Sequence, residues 1–406
     1  MTTTSARFQP DVVVRWRRSL TAYYVLMGFS GSIWSVRLPQ IRIDLRASSW
    51  QLGLVGLCAA VGSLIGIAAS HRIIQRFGTR AAMCSGYLVG PIAFLIEGYV
   101  TQARWSDGIV IVGIGYFING VSFSCTDIAI NVDGSSIERE LNKSVLPSLH
   151  GQFSVGAVVG AAAGTFCAGI HESIFVQMSV VAALMFAIPF ATYSTLQGRI
   201  GEHVGSKGEG RWRDLFDASL VILIACVFFF TVAEGAASSW LTLIVNEARH
   251  FSPVFAGVCL FAFSGAMTLM RLGSRRWAER TNPATILLSL GFVGLLGAAF
   301  VRFGTGHTVL FIGSVLWGAG IALAFPLSVS AAGRTGKNSS QRVVFVATAG
   351  YAAFLSGPPL LGLAAQKFGL LTIATVSIVM FVLAISTLLL SSKTIAVAIR
   401  NNADAS

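Results

Sequence analysis

Apolar segments of about 20 residues recur along almost the whole chain, and that recurrence limits the possible folds more than any other feature. A helix of about 20 residues crosses a hydrocarbon core of roughly 30 Å. Twelve such segments are expected: 19–38, 50–71, 80–99, 107–131, 146–169, 174–196, 217–246, 252–271, 283–302, 308–331, 342–365 and 370–391. Each is continuously apolar rather than alternating at period two, which favours helices over a barrel. Only 11% of the 406 residues are charged and mean hydropathy is +0.73, whereas a soluble domain carries about 25% charged residues. The expected fold is therefore an all-α membrane protein with twelve transmembrane helices.

The net charge of +12 does not point to nucleic acid, because the basic residues are unevenly divided between alternate loops. With the N-terminus inside, 22 Lys and Arg fall in inside segments and 7 in outside ones. That positive-inside bias places both termini in the cytoplasm. The Arg15-Trp16-Arg17-Arg18 cluster precedes a full-length span, so it reads as a cytoplasmic anchor and not as part of a cleaved leader. The six cysteines all fall inside predicted spans and share no loop. They form neither a disulfide framework nor a metal motif, and no metal or other cofactor is expected.

Gln197–Asp214 is polar and rich in glycine, as a flexible linker would be. It suggests a tail at 1–18, a six-helix bundle at 19–196, a linker at 197–216, a second six-helix bundle at 217–391 and a tail at 392–406. Weak internal similarity supports duplication. Basic turns follow the second span of each half, at Gln75–Arg80 and Ala278–Pro283. Gly28 and Trp34 match the spacing of Glu234 and Trp240, and Gly113 and Gly120 that of Gly313 and Gly320. Two pseudo-symmetric bundles enclosing a cavity are the architecture of a secondary transporter.

These basic turns resemble the loop after the second helix in the major facilitator superfamily. Arg76, Gly78 and Arg80 fit its pattern, with Gln75 where that family has Asp; Glu279 and Arg280 fit the Asp-Arg pair, with Asn282 in place of Gly. A narrower set is similar to the YbjJ-type bacterial inner-membrane branch, on the sugar-permease side of that superfamily. It comprises Trp34–Arg42, Asp127–Asn131 with Glu138, His150–Gly156, Glu234–Ala236 with Trp240, and Gly357-Pro358-Pro359. The resemblance implies that the first, fourth, seventh and tenth spans line a central site.

A charge retained inside a bilayer costs a few kcal/mol or more, so it marks function. Glu234, amid its span after Phe228–Phe230, is the first candidate for a substrate or proton group. Asp127 and Asn131 share a face at i, i+4, and line the inner cavity or build a gate with an arginine. Glu97 lies near the outer end of its span, where reaching water is the plainer role; Arg37, also near an outer end, either reaches water or meets Glu97 or an anion, the two readings being equal. Asn119, Gln152 and His150 are polar wall candidates, and Trp34, Trp240 and Trp317 are stacking candidates. Arg76, Gly78, Arg80, Arg276, Glu279 and Arg280 are expected to form cytoplasmic latches. Gly156 and Gly160, on a face with Gly164, are expected to pack tightly, and Gly357, Pro358 and Pro359 to bend their span or hinge it.

No phosphate-binding loop or catalytic constellation is visible. The expectation is a monomeric, proton-coupled transporter of a small organic solute in the inner membrane, working by alternating access, and not an enzyme. An efflux pump for lipophilic compounds and a non-transporting sensor or scaffold remain open.

Overall fold

A computed structural model describes residues 9–105, 107–141, 145–197, 217–273, 281–334 and 339–403. The described residues are helical, with no strand among them. Ten helical stretches are long and apolar enough to cross a membrane, with residues 307–332 counted as one stretch. The chain divides into two compact units, Met1–Gly205 and Ser206–Ser406.

The first unit contains α1 (Pro10–Asp44), α2 (Ser49–Ala103), α3 (Gly108–Leu141), α4 (Leu146–Gly169) and α5 (Ile174–Thr192). Proline at the first helical position, where no amide partner is lost, and Asp11 in the first turn start α1. Helix thus begins well before residue 19, and the segment expected to be a tail up to 18 is partly the first turns of α1. Trp16 is fully buried there, so it is a packed residue and not only an interfacial anchor. A capping box at Ser48 and Gln51 starts α2, with Ser48 N–H donating to Gln51 Oε1 at 2.8 Å and Gln51 N–H to Ser48 Oγ at 3.2 Å.

The basic turn expected between the second and third spans is not a loop. Helix continues through it, broken at Gly78, where φ is 82° and ψ 171°. A residue with a Cβ is strained there, so one glycine converts a 55-residue run into two helices. Close approach requires glycine on α4. A Cβ on Gly156 would collide with the Val25 carbonyl, and one on Gly160 with the Phe29 carbonyl. In lipid there is little hydrophobic force between helices, and such backbone contact supplies the packing energy instead.

The second unit contains α6 (Ala218–Leu243), which runs into a π-helical turn at Ile244–Ala248, then α7 (Pro253–Gly273) and α8 (Pro283–Phe303). After these come α9 (His307–Ile321), α10 (Ala324–Arg334), α11 (Ser339–Phe368) and α12 (Leu371–Ala403). Asn282 caps α8, its Oδ1 accepting from Ala284 N–H at 2.9 Å. The expected span 308–331 is interrupted between α9 and α10. Pro326 explains the break, because it has no N–H for the Ala322 carbonyl four residues earlier and its ring crowds that oxygen. Pro358 and Pro359 lie inside a continuous α11, and a Cβ on Gly357 would meet nothing within 4 Å. Gly357 is therefore no close-packing point. Helix α12 continues to Ala403, so it runs on into the segment expected to be a tail from residue 392.

Asp217 caps α6 and ties it to α11. Its Oδ1 accepts from Leu220 N–H at 2.8 Å and from the Ser219 hydroxyl at 2.7 Å. Arg342, only 1% exposed, donates Nη1 to Oδ2 at 2.9 Å and Nη2 to Oδ1 at 3.0 Å. Burial alone would raise the Asp217 pKa. The hydrogen bonds from Arg342, Ser219 and Leu220, with the guanidinium charge, outweigh burial and hold it at about 2. Beside this clasp, Leu220, Leu223 and Val227 of α6 pack with Ala331 and Ala332 of α10 and Val346 of α11.

Candidate functional site

Two sets of buried polar groups stand out, one in each unit. In the first unit, Tyr24 of α1 donates its hydroxyl to Asn131 Oδ1 at 3.0 Å. Asn131 donates Nδ2 to the Asp127 backbone carbonyl at 2.8 Å and to Asp127 Oδ1 at 3.2 Å. The i, i+4 spacing on α3 thus produces the expected shared face. His150 of α4 lies edge-on to Tyr24, with ring centroids 5.3 Å apart. No arginine pairs with Asp127 among the described residues, so the expected arginine gate is not formed; an amide and a phenol supply its surroundings instead. Gln152 of α4 is half-buried, and no side-chain hydrogen bond joins it to this set among the described residues.

Glu97 does not reach water. It is fully buried, and Asn119 donates Nδ2 to its Oε1 at 2.9 Å. The second segment of α2 and α3 enclose it, so nearness to a helix end does not give it a route to the interface. Arg37 is 2% exposed and donates to the Glu172 backbone carbonyl, meeting neither Glu97 nor bulk water. Trp34, also buried, packs on Tyr116 at 5.2 Å.

Sequence reasoning missed Asp133. It is fully buried, and the Trp16 indole N–H donates to its Oδ2 at 2.6 Å. Glu138 was noted only as part of a motif, yet its Oε1 accepts from the N–H groups of Val145 and Leu146 at 2.6 and 2.9 Å, capping the start of α4.

The expected latch residues divide. Arg80 sits over the Tyr193 ring at 4.4 Å and donates to the Tyr193 carbonyl at 3.4 Å, at the C-terminus of α5. Arg76 lies over Phe77 at 5.3 Å. Neither pairs with a carboxylate among the described residues. Arg276, Glu279 and Arg280 lie outside the described residues.

In the second unit, Glu234 of α6 pairs with Arg271 of α7, Nη2 to Oε1 at 3.4 Å. The two side chains are 17% and 29% exposed, so the pair is largely enclosed by protein. Arg271 also donates Nε to the Ala322 carbonyl at 3.0 Å. Trp317 of α9 is fully buried and donates Nε1 to the Ala233 carbonyl at 3.2 Å, one residue before Glu234. Trp240 is 2% exposed. An apolar helix thus carries one carboxylate, set against a guanidinium. No cluster of His, Cys, Asp and Glu suited to a metal exists among the described residues.

A family model described as the Major Facilitator Superfamily matches residues 148–347. A curated transporter of Sinorhizobium fredii is 26% identical over 359 residues, covering 86% of this chain and 91% of that protein. An MFS-type transporter of Yersinia pestis is 24% identical over 351 residues, covering 84% and 87%. Among solved structures, a single-residue variant of the nucleoside transporter NupG superposes with a TM-score of 0.72 at 11% identity, covering 93% of this chain and 98% of that one. A variant of the Escherichia coli fucose:proton symporter FucP gives 0.58 at 14% identity, covering 92% and 97%. At those identities the structural likeness establishes the fold alone.

Proposed function

We propose that the chain, which matches the Major Facilitator Superfamily model over residues 148–347 and resembles curated transporters along most of its length, is a transporter and not an enzyme, and that it carries a small organic solute across the bacterial inner membrane by alternating access, driven by protons. In this reading it has twelve spans in two six-helix bundles, 19–196 and 217–391, joined by the linker 197–216, with both termini cytoplasmic. Ten apolar helical stretches, the division of α2 at Gly78 and the length of α1 support that count. The YbjJ-type branch is retained as the narrower assignment.

The observation that carries the reading is the Glu234–Arg271 pair in otherwise apolar surroundings. An intramembrane ion pair is expensive to keep, and a carboxyl group that gains and loses a proton is its natural use. Asp127, Asn131, Asn119, Gln152, Trp34, Trp240, Trp317 and Arg37 complete the proposed substrate pathway. Arg76, Gly78 and Arg80 in the first half, and Arg276, Glu279 and Arg280 in the second, are the proposed latches, and Pro358 and Pro359 the proposed bend. The solute is polar and ring-shaped, of sugar or nucleoside type. The fold neighbours include a nucleoside transporter and a fucose:proton symporter, which supports that class of solute.

Proteoliposomes holding a pH-sensitive dye test this, with sugars, sugar acids, nucleosides and lipophilic cations added in turn. A sugar or nucleoside that drives protons inward supports the proposal. Proton movement with lipophilic cations alone contradicts it and favours efflux.

A further inference from the structure

We propose that a groove between the first segment of α2 and the start of α3 holds one acyl chain of a membrane phospholipid. The groove has a volume of about 470 Å³ and is walled by Leu54, Val55 and Cys58 of α2 and by Val110, Ile114 and Phe117 of α3. Its origin lies in how the two helices pack. A Cβ on Gly62 would collide with the Phe117 carbonyl, and one on Gly120 with the Ala59 carbonyl, so the backbones touch there. Nearer the helix starts, at Ser49 and Gly108, that contact gives way to the groove. Gly113 lines it too, and a Cβ there would meet only Cys58 Sγ at 3.6 Å and Val55 Cγ2 at 4.0 Å. The missing side chain leaves room rather than relieving a clash. The slot is thus closed by backbone contact at one end and open at the other. From Gln51 to Cys58 it follows two turns of α2, about 10 Å.

Position and charge select the occupant. Both walls belong to stretches long and apolar enough to cross a membrane, and Val110 and Ile114 are 63% and 56% exposed. An apolar slot offers water no partners, and left empty it costs its lining dispersion contacts, so hydrocarbon fills it. The open end has the features of a membrane–water boundary. Trp50 and Trp105 are exposed there, and Trp105 lies edge-on to exposed Tyr99 at 6.0 Å. Arg42, Arg46 and Arg104 outnumber Asp44 and Asp107 at this end. Arg46 is exposed and has no carboxylate partner among the described residues. Arg104 pairs with Asp44 at 3.1 Å, yet its side chain is 70% exposed. Guanidinium groups so placed suit a phosphate, and a chain attached to that phosphate enters the groove from its open end. An uncharged lipophilic solute would leave these arginines unused.

Native mass spectrometry of the full-length protein in detergent, titrated with palmitoyl-oleoyl phosphatidylglycerol, tests this without any transported solute. One phospholipid should stay bound. Alkylation of Cys58 by a maleimide, read on its peptide, should slow about tenfold as that site fills, because thiol reactivity follows access. Cys167 of α4, half-buried and not among the groove residues, should change less than about twofold and serves as the reference. Gly113→Leu fills the groove and should lower lipid retention about tenfold or more, as the chain loses its buried surface. Leu54→Trp, at an exposed wall position, should do the same and replaces Gly113→Leu if that variant fails to give a monodisperse peak. Arg46→Gln combined with Arg104→Gln should weaken retention about tenfold, at about 1 kcal/mol for each cation near a phosphate. Retention that survives the groove variants or the arginine variant would overturn the proposal, as would the absence of any retained phospholipid. Retention of tetraphenylphosphonium in preference to the phospholipid would also overturn it and assign the groove to a lipophilic solute.

Discussion

Replacing Asp217 with asparagine removes one charge from the α6–α11 clasp and keeps its shape. Asparagine caps a helix about as well as aspartate, so the bond from Leu220 N–H survives while the ion pair to Arg342 does not. The folded pKa of Asp217 is about 2, against an ordinary 3.8. At about 1.4 kcal/mol per unit this corresponds to roughly 2 kcal/mol. Asp217 is 52% exposed, and screening by water reduces that to about 1 kcal/mol. Because the folded pKa is depressed, the stabilisation is fully present above pH 3.8 and is lost as pH falls through about 2. Tryptophan-detected melting of wild type and Asp217→Asn at matched pH isolates this group from the other carboxylates. The variant should melt about 2 °C lower at neutral pH, and the gap should close between pH 4 and pH 2. Equal melting temperatures at neutral pH, or a gap that persists at the acid end, would refute the reasoning.

Other substitutions probe the packing and the buried polar groups. Gly156→Val places a side chain against the Val25 carbonyl; it should cost about 3 kcal/mol or more and lower the yield of monodisperse protein in size-exclusion chromatography. Gly357→Ala, inside α11 where a Cβ meets nothing within 4 Å, should raise the melting temperature slightly, because alanine is favoured over glycine in a helix by about 0.5–1 kcal/mol. Trp16→Phe keeps an aromatic ring, though a smaller one, and removes the donor to fully buried Asp133; a loss of about 2 kcal/mol or more is expected in chemical denaturation, and Trp16→Phe combined with Asp133→Asn should recover part of it.

The apolar segments were legible because hydropathy and length are local properties. Element ends were less so. The fourth span was drawn to end at residue 131, two residues before Asp133, and that boundary hid a buried carboxylate on a helix that runs to Leu141. Glu97 was misjudged for a different reason. Its partner Asn119 lies 22 residues away on another helix, and nearness to a span end does not reveal which face is enclosed. Glu234 stood out by its apolar context, but Arg271 was counted only as a topology signal, because 37 residues separate the two. Pro326 offered a local sign of the break at Ala322. The Gly78 break rests on a left-handed backbone angle that glycine permits but does not require.

The central claim is that protonation of Glu234 drives transport. Once a solute that moves protons is in hand, Glu234→Gln should be assayed in proteoliposomes for two activities, solute exchange at equal concentrations and accumulation driven by a pH gradient. The account predicts that exchange persists while gradient-driven accumulation is lost. Accumulation at the wild-type rate in the variant would contradict it.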